Sequence, residues 1–222
     1  MDFIAQLTGL FEANANAENA SAMKSYMRNK FDFFGIKASA RRDLMKQAIA
    51  EHKTEVKENP RKIAKRLYAL PQRECHMCAM EIVEIELRRS YKKEDIAFIE
   101  ELIVINSWWD SVDFIAKNIL GKYLATYPDL TKTTIEHFSR SSNLWLNRSS
   151  IIYQLGYKQN TDAKILFRQC ERFRHSDEFF IQKAIGWALR EYAKTDPKAV
   201  MDFVKSTQLK PLSQREAIRN IC

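Results

Sequence analysis

Glycine and proline, the residues that build turns and interrupt regular structure, are scarce: the chain has five of each among 222 residues. An average protein carries roughly 7% glycine and 5% proline, so this shortage argues against a turn-rich β-sandwich, a glycine-dependent nucleotide fold or a disordered linker. Long helices with short connections remain. Hydrophobic residues make up 45% of the chain, enough to bury a substantial core in one large domain or one continuous array of repeats.

Apolar residues recur at helical spacing almost throughout, and no stretch alternates with period two. The spacing predicts about a dozen helices, near 2–14, 18–30, 39–53, 60–70, 73–90, 93–104, 108–120, 129–140, 144–155, 161–174, 177–194 and 197–206. Asn59-Pro60 and Asp196-Pro197 each place a capping side chain before a proline at the first helical position. Ser107 with Asp110 three residues on resembles a capping box. Connections of about two to eight residues imply antiparallel neighbours. A dozen helices so paired give about six units of roughly 37 residues, the length of helical-hairpin repeats. The expected architecture is an all-α solenoid, residues 1–222 forming a single repeat domain; a compact, non-repetitive helical domain is the alternative.

The four cysteines, Cys75, Cys78, Cys170 and Cys222, are too few for a disulfide framework, and no basic-then-apolar leader precedes the first helix-like segment. These features suggest a reduced, cytoplasmic protein. Apolar runs such as Leu102–Ile105 fall far short of the ~20 residues needed to cross a bilayer, and the Phe31–Phe34 cluster reads as core at a helix end, so no membrane association is expected. The formal net charge of +8 favours a polyanionic partner, nucleic acid first. Cys75-His76-Met77-Cys78 lies inside a helical pattern with no second CxxC, and His52, His137 and His175 show no ligand spacing. No metal site is expected from them.

Function shows best where a side chain disagrees with the face its helix assigns it. In 177–194 the stripe Ile181, Ala184, Ile185, Ala188, Leu189 and Tyr192 leaves Trp187 on another face beside Lys183, Arg190 and Lys194. That tryptophan either packs against a neighbouring repeat or forms an aromatic platform between phosphate-seeking cations. In 108–120, Trp108, Val112, Ile115 and Ile119 make the core stripe, while Trp109 and Asp113, four apart, share a flank outside it. A carboxylate facing DNA repels phosphate, so its presence there calls for another reason, and catalysis supplies one. In 144–155, Arg148 falls in the middle of the stripe Leu144, Trp145, Ile151, Ile152 and Leu155. A desolvated guanidinium there is either paired with an acid or turned toward an anion-binding cleft. Asp113, Arg148 and Trp187 stand 35 and 39 residues apart, close to the inferred repeat length, and so would line one face of adjacent repeats.

The strings Ser107-Trp108-Trp109-Asp110-Ser111-Val112-Asp113, Trp145-Leu146-Asn147-Arg148 and Ile185-Gly186-Trp187-Ala188-Leu189-Arg190-Glu191-Tyr192 resemble the signatures of the AlkD-like DNA alkylation repair glycosylases. The resemblance includes Phe34-Gly35-Ile36-Lys37 with Arg41-Arg42 early and Leu212-Ser213 with Arg215-Glu216-Ala217 late. It departs from the family at Ala38-Ser39, where a proline-containing turn is expected, and Cys75 and Cys78 have no family role. The resemblance implies a right-handed α-solenoid of HEAT-like repeats and a monofunctional N-glycosylase releasing 3-methyladenine- and 7-methylguanine-type bases from duplex DNA. It implies no metal or organic cofactor, and the chain is expected to act as a monomer. It implies that Asp113 is the catalytic carboxylate, that Trp109 and Trp187 line the cleft, that Arg148 contacts the DNA backbone, and that Tyr26 matches a cleft tyrosine. Lys183 and Arg190 are expected to bind DNA beside Trp187. A rival of a different class is a non-catalytic helical-repeat scaffold, which needs the basic face but not the carboxylate.

Overall fold

The computed structural model describes residues 2–219 and 221, and contains fifteen α-helices and no strand among them. The chain divides into two compact units, residues 1–92 and 93–222. The first holds α1 (Phe3–Ala13), α2 (Ala17–Tyr26), α3 (Ala38–Glu51), α4 (Lys53–Glu58), α5 (Pro60–Tyr68) and α6 (Arg73–Leu87). The second holds α7 (Asp95–Val104), α8 (Trp109–Phe114), α9 (Gly121–Thr126), α10 (Thr131–Arg140), α11 (Leu144–Ile152), α12 (Ala163–Arg172), α13 (Phe179–Ala193), α14 (Pro197–Ser206) and α15 (Pro211–Ile218). The all-α class expected from the apolar periodicity is therefore the one observed, and no described helix is long and apolar enough to cross a membrane.

In the first unit the apolar spacing dictates burial. Phe3, Ile4, Leu7 and Phe11 form the inner face of α1, and the Asp2 carboxylate caps it by accepting from the Ala5 amide. Ile63, Ala64, Leu67 and Tyr68 bury one side of α5 against α6 while Lys62, Lys65 and Arg66 face outward. α2 buries nothing, and the chain beyond it is fixed instead by the Phe34-Gly35-Ile36 turn. Gly35 has φ +86°, and a Cβ there would lie 2.0 Å from the Asn16 carbonyl oxygen, so only glycine fits. The buried Glu74 carboxylate accepts the amides of Phe34, Gly35 and Ile36 at 3.2, 2.9 and 3.1 Å. The early Phe-Gly-Ile string thus has a structural cause.

Several boundaries differ from expectation. The segment 18–30 stops at Tyr26 because Arg28 and Asn29 take left-handed φ of 55° and 56°, which ends a helix. Asn59 does not cap α5; its amide donates to the Glu55 carbonyl and closes α4 instead. Asp196 does cap α14, accepting from the Ala199 amide at 2.9 Å. Ser107 is not the cap of α8: its hydroxyl donates to the Ile103 carbonyl, and the helix begins one residue later, where Trp108 is extended and Ser111 bonds its backbone. That helix also runs past Leu120, through a π-helical turn over Ile115–Leu120 and into α9. The glycine at 121 does not end it, because it serves close packing: a Cβ would sit 2.5 Å from the Tyr153 carbonyl oxygen. α15 lies beyond the expected helices altogether.

The core of the second unit joins Ile151, Ile152, Leu166, Ile185, Leu189, Val200 and Ala217, with Trp187 and Tyr192 packed partly against it. α13 is central here, lying against both α11 and α15.

Candidate functional site

α8, α11 and α13 meet through an aromatic cluster and one ion pair. The Trp108 ring contacts Trp145 and Phe180 edge-on at centroid distances of 5.8 and 5.4 Å, and Trp145 meets Phe180 at 5.1 Å. Such contacts hold rings in fixed relative orientation. α11 is located independently. Asn143 caps it by accepting from the Trp145 and Leu146 amides, and the Asn147 side chain donates to the carbonyls of Phe138 and Ser141.

On that frame Arg148 reaches Asp113. Nε donates to Oδ1 at 2.7 Å and Nη2 to Oδ2 at 2.9 Å, a two-point fork, while Nη1 donates to the Phe180 carbonyl. The arginine side chain is 5% exposed and the aspartate 18%. An ionised carboxylate offers about four acceptor positions, so the fork occupies about half of them. Burial pushes the Asp113 carboxyl up, and the hydrogen bonds and charge of Arg148 offset this only in part. With Asp110 nearby adding to the rise, it stays above the ordinary aspartate value.

The structure thus pairs Asp113 with Arg148, and Arg148 in turn with the helix that carries Trp187. Trp109 is half-buried at the start of α8, one turn before Asp113. Trp187 is half-buried and belongs in part to the core of its unit, as the packing alternative required. Lys183 and Arg190 flank it on α13, and both are bonded to Glu216 of α15, at 3.0 and 2.6 Å. Tyr26 is 71% exposed at the end of α2 in the first unit.

Trp145 and Glu216 stand in the strings that carry the family resemblance but were given no role there, and Phe180 was not singled out. Trp145 and Phe180 read as ordinary apolar positions, and Phe180 contributes through its backbone carbonyl, which no side-chain pattern reveals. Gly186 did carry a signal: a Cβ there would fall 2.4 Å from the Glu216 Cβ and 3.1 Å from the Ser213 carbonyl oxygen. Glycine is what lets α15 approach α13 closely enough to deliver Glu216.

Cys75 and Cys78 are buried in α6, and burial pushes their thiols to about 12 and about 11. His76 is engaged with the Leu70 carbonyl and Arg73. Among the described residues no group of three or more His, Cys, Asp or Glu is arranged to hold a metal ion.

Residues 7–221 match the sequence pattern of the family described as DNA alkylation repair enzyme. A solved structure described as a predicted DNA alkylation repair enzyme from Enterococcus faecalis is 31% identical, with a TM-score of 0.85 over 94% of this chain and 97% of that one. The structure of smu.31 from Streptococcus mutans UA159 shares the fold at 18% identity, with a TM-score of 0.60 over 82% of this chain and 96% of its own. No curated protein matches the sequence.

Proposed function

The chain belongs to the DNA alkylation repair enzyme family, and we propose that it is a monofunctional N-glycosylase releasing cationic alkylated purines, of the 3-methyladenine and 7-methylguanine types, from duplex DNA. The observation that carries this reading is the Asp113 carboxylate: fixed by a buried arginine, partly open, and not fully compensated. A family of DNA repair enzymes acts on a polyanion, where an open carboxylate repels phosphate and is useful chiefly to a developing cation.

The chemistry asks little else. Alkylation at N3 or N7 makes the purine cationic and a good leaving group. As the N-glycosidic bond breaks, its electron pair goes to the base, and positive charge develops at the sugar C1′. Asp113 stabilises that charge and positions the water that adds to C1′; the proton this water releases passes to Asp113 and on to solvent. Trp109 and Trp187 offer indole faces to the cationic base or sugar, each worth about 0.5–2 kcal/mol. Arg148 orients Asp113, and its remaining N–H groups contact the DNA backbone. Tyr26, Lys183 and Arg190 add contacts to the duplex. In this reading residues 1–222 act as a single HEAT-like repeat domain, active as a cytoplasmic monomer without metal or organic cofactor.

Incubation with methylated duplex DNA, followed by identification of the freed bases, tests this. Release of 7-methylguanine or 3-methyladenine is expected. Binding to the duplex with no base released would leave a non-catalytic scaffold.

A further inference from the structure

The sequence places Lys183 and Arg190 as free cations on either side of Trp187, but the structure couples them to a single acid. Lys183 Nζ lies 3.0 Å from Glu216 Oε1, and Arg190 Nη1 donates to Oε2 at 2.6 Å and to the Glu216 backbone carbonyl at 3.1 Å. Glu216 is only 12% exposed, and its two cationic partners hold its carboxyl below the ordinary glutamate value, Arg190 through its hydrogen bond first and Lys183 second. Gly186 lies between the two cations on α13 and makes the approach of Glu216 possible. Three charged groups therefore form one unit with a net charge of +1, beside a tryptophan proposed to meet the lesion.

We propose that Lys183 and Arg190 form one backbone-phosphate subsite and that Glu216 is its built-in counter-ion, setting how tightly undamaged DNA is held. The inference rests on the DNA-binding reading above. Arg190 reaches the carboxylate through one terminal nitrogen, leaving its Nε and Nη2 edge for phosphate oxygens, and Lys183 has further N–H groups beyond its one contact. The carboxylate holds both cations in place before DNA arrives and cancels one of their charges. An enzyme that must leave undamaged sites quickly gains from that cancellation, because phosphate contacts are the same at every site and carry no information about a lesion. Glu216 is in this sense a specificity-determining residue that touches neither base nor sugar.

The test is the salt dependence of binding to an undamaged duplex, read by fluorescence anisotropy for variants shown to be folded by circular dichroism. Each phosphate neutralised contributes about 0.9 to the slope of log affinity against log salt, or roughly eightfold per tenfold change in salt. E216Q is expected to steepen the slope by about 0.9 and tighten undamaged binding about three- to eightfold at ~0.1 M salt. E216D keeps the charge and should hold the wild-type slope. K183Q keeps Glu216 and its bonds to Arg190 while removing the net charge, and should make the slope shallower by about 0.9. An unchanged or shallower slope for E216Q, the same change in E216D as in E216Q, or an unaltered slope for K183Q would overturn the proposal. If the wild-type chain binds neither methylated nor undamaged duplex, the DNA reading fails instead.

Discussion

In the first unit Arg41 grips Glu81 through both terminal nitrogens, at 3.1 and 2.7 Å; in the second Arg148 grips Asp113 at 2.7 and 2.9 Å. Each arginine is almost fully buried and each carboxylate slightly open, at 15% and 18%. The forks use different edges of the guanidinium, both terminal nitrogens in Arg41 and Nε with Nη2 in Arg148, but the larger difference is in the surroundings. Glu81 has a second cation, Arg42, at 3.2 Å. Burial pushes its carboxyl up, but the hydrogen bonds and charges of the two arginines outweigh that and hold it below the ordinary value. Asp113 has one arginine and a neighbouring aspartate, and it stays above the ordinary value. The first pair is saturated, so nothing more is gained by offering it a cation. In the second, Arg148 offsets the cost of burial only in part, and the carboxylate is partly open. Two buried-arginine salt bridges can therefore differ in their electrostatics, one carboxyl held below its ordinary value and the other above it, and under the proposed glycosylase reading the second is the one that serves the chemistry.

Removing the arginines breaks the comparison most sharply. Arg148→Ala should lower unfolding free energy by about 3–5 kcal/mol, since it leaves the partly buried Asp113 carboxylate without its cation, and Arg41→Ala should cost less because Arg42 still reaches Glu81 at 3.2 Å; urea denaturation measures this. Only Arg148→Ala should also lose excision per folded molecule, in single-turnover assays. Equal activity loss in both variants would erase the distinction. Next in size, Gly186→Ala forces the Glu216 Cβ, 2.4 Å away, to move. A loss of about 1–3 kcal/mol is expected from such overpacking, measured by the same denaturation. Trp187→Ala should slow single-turnover excision by a factor of roughly two to thirty, the span of about 0.5–2 kcal/mol for one cation–π contact. Unchanged kinetics would assign Trp187 to packing alone.

The smallest effects are in pH, and they run in opposite directions. A raised native pKa at Asp113 means the carboxylate protonates sooner on acidification, so the acid limb of excision should lie above the pH at which an ordinary aspartate titrates. A lowered native pKa at Glu81 stabilises the fold above the unfolded glutamate value and loses that contribution as pH falls through the native one. The stability gap between wild type and Glu81→Gln should narrow between neutral and acidic pH, measured by thermal denaturation. A gap that widens on acidification would contradict the assignment.

Much of this was legible in the sequence, because helical periodicity records which face is buried. Arg148 stood out on an apolar stripe, and its 35-residue separation from Asp113 matched a repeat length. What periodicity does not record is partnership across helices. Glu216 lies 26 residues from Arg190, in a helix whose short apolar pattern follows Pro211, so two cations that read as free are in fact counterbalanced. Local capping was similarly ambiguous. Ser107 and Asn59 are good caps by type, but each bonds backward to the preceding helix, whose last carbonyls were the nearer unsatisfied groups. The continuation through Gly121 was hidden because glycine usually ends a helix, whereas here it admits the backbone of Tyr153.

The central claim is that Asp113 is the working carboxylate and Arg148 its holder. Its most direct test compares wild type and Asp113→Asn on methylated duplex DNA, with single-turnover release of 7-methylguanine and duplex affinity measured on the same preparations. Excision should fall by about 10²–10³-fold or more, while binding is retained or slightly tightened by the loss of a negative charge. Undiminished excision by Asp113→Asn would contradict the account.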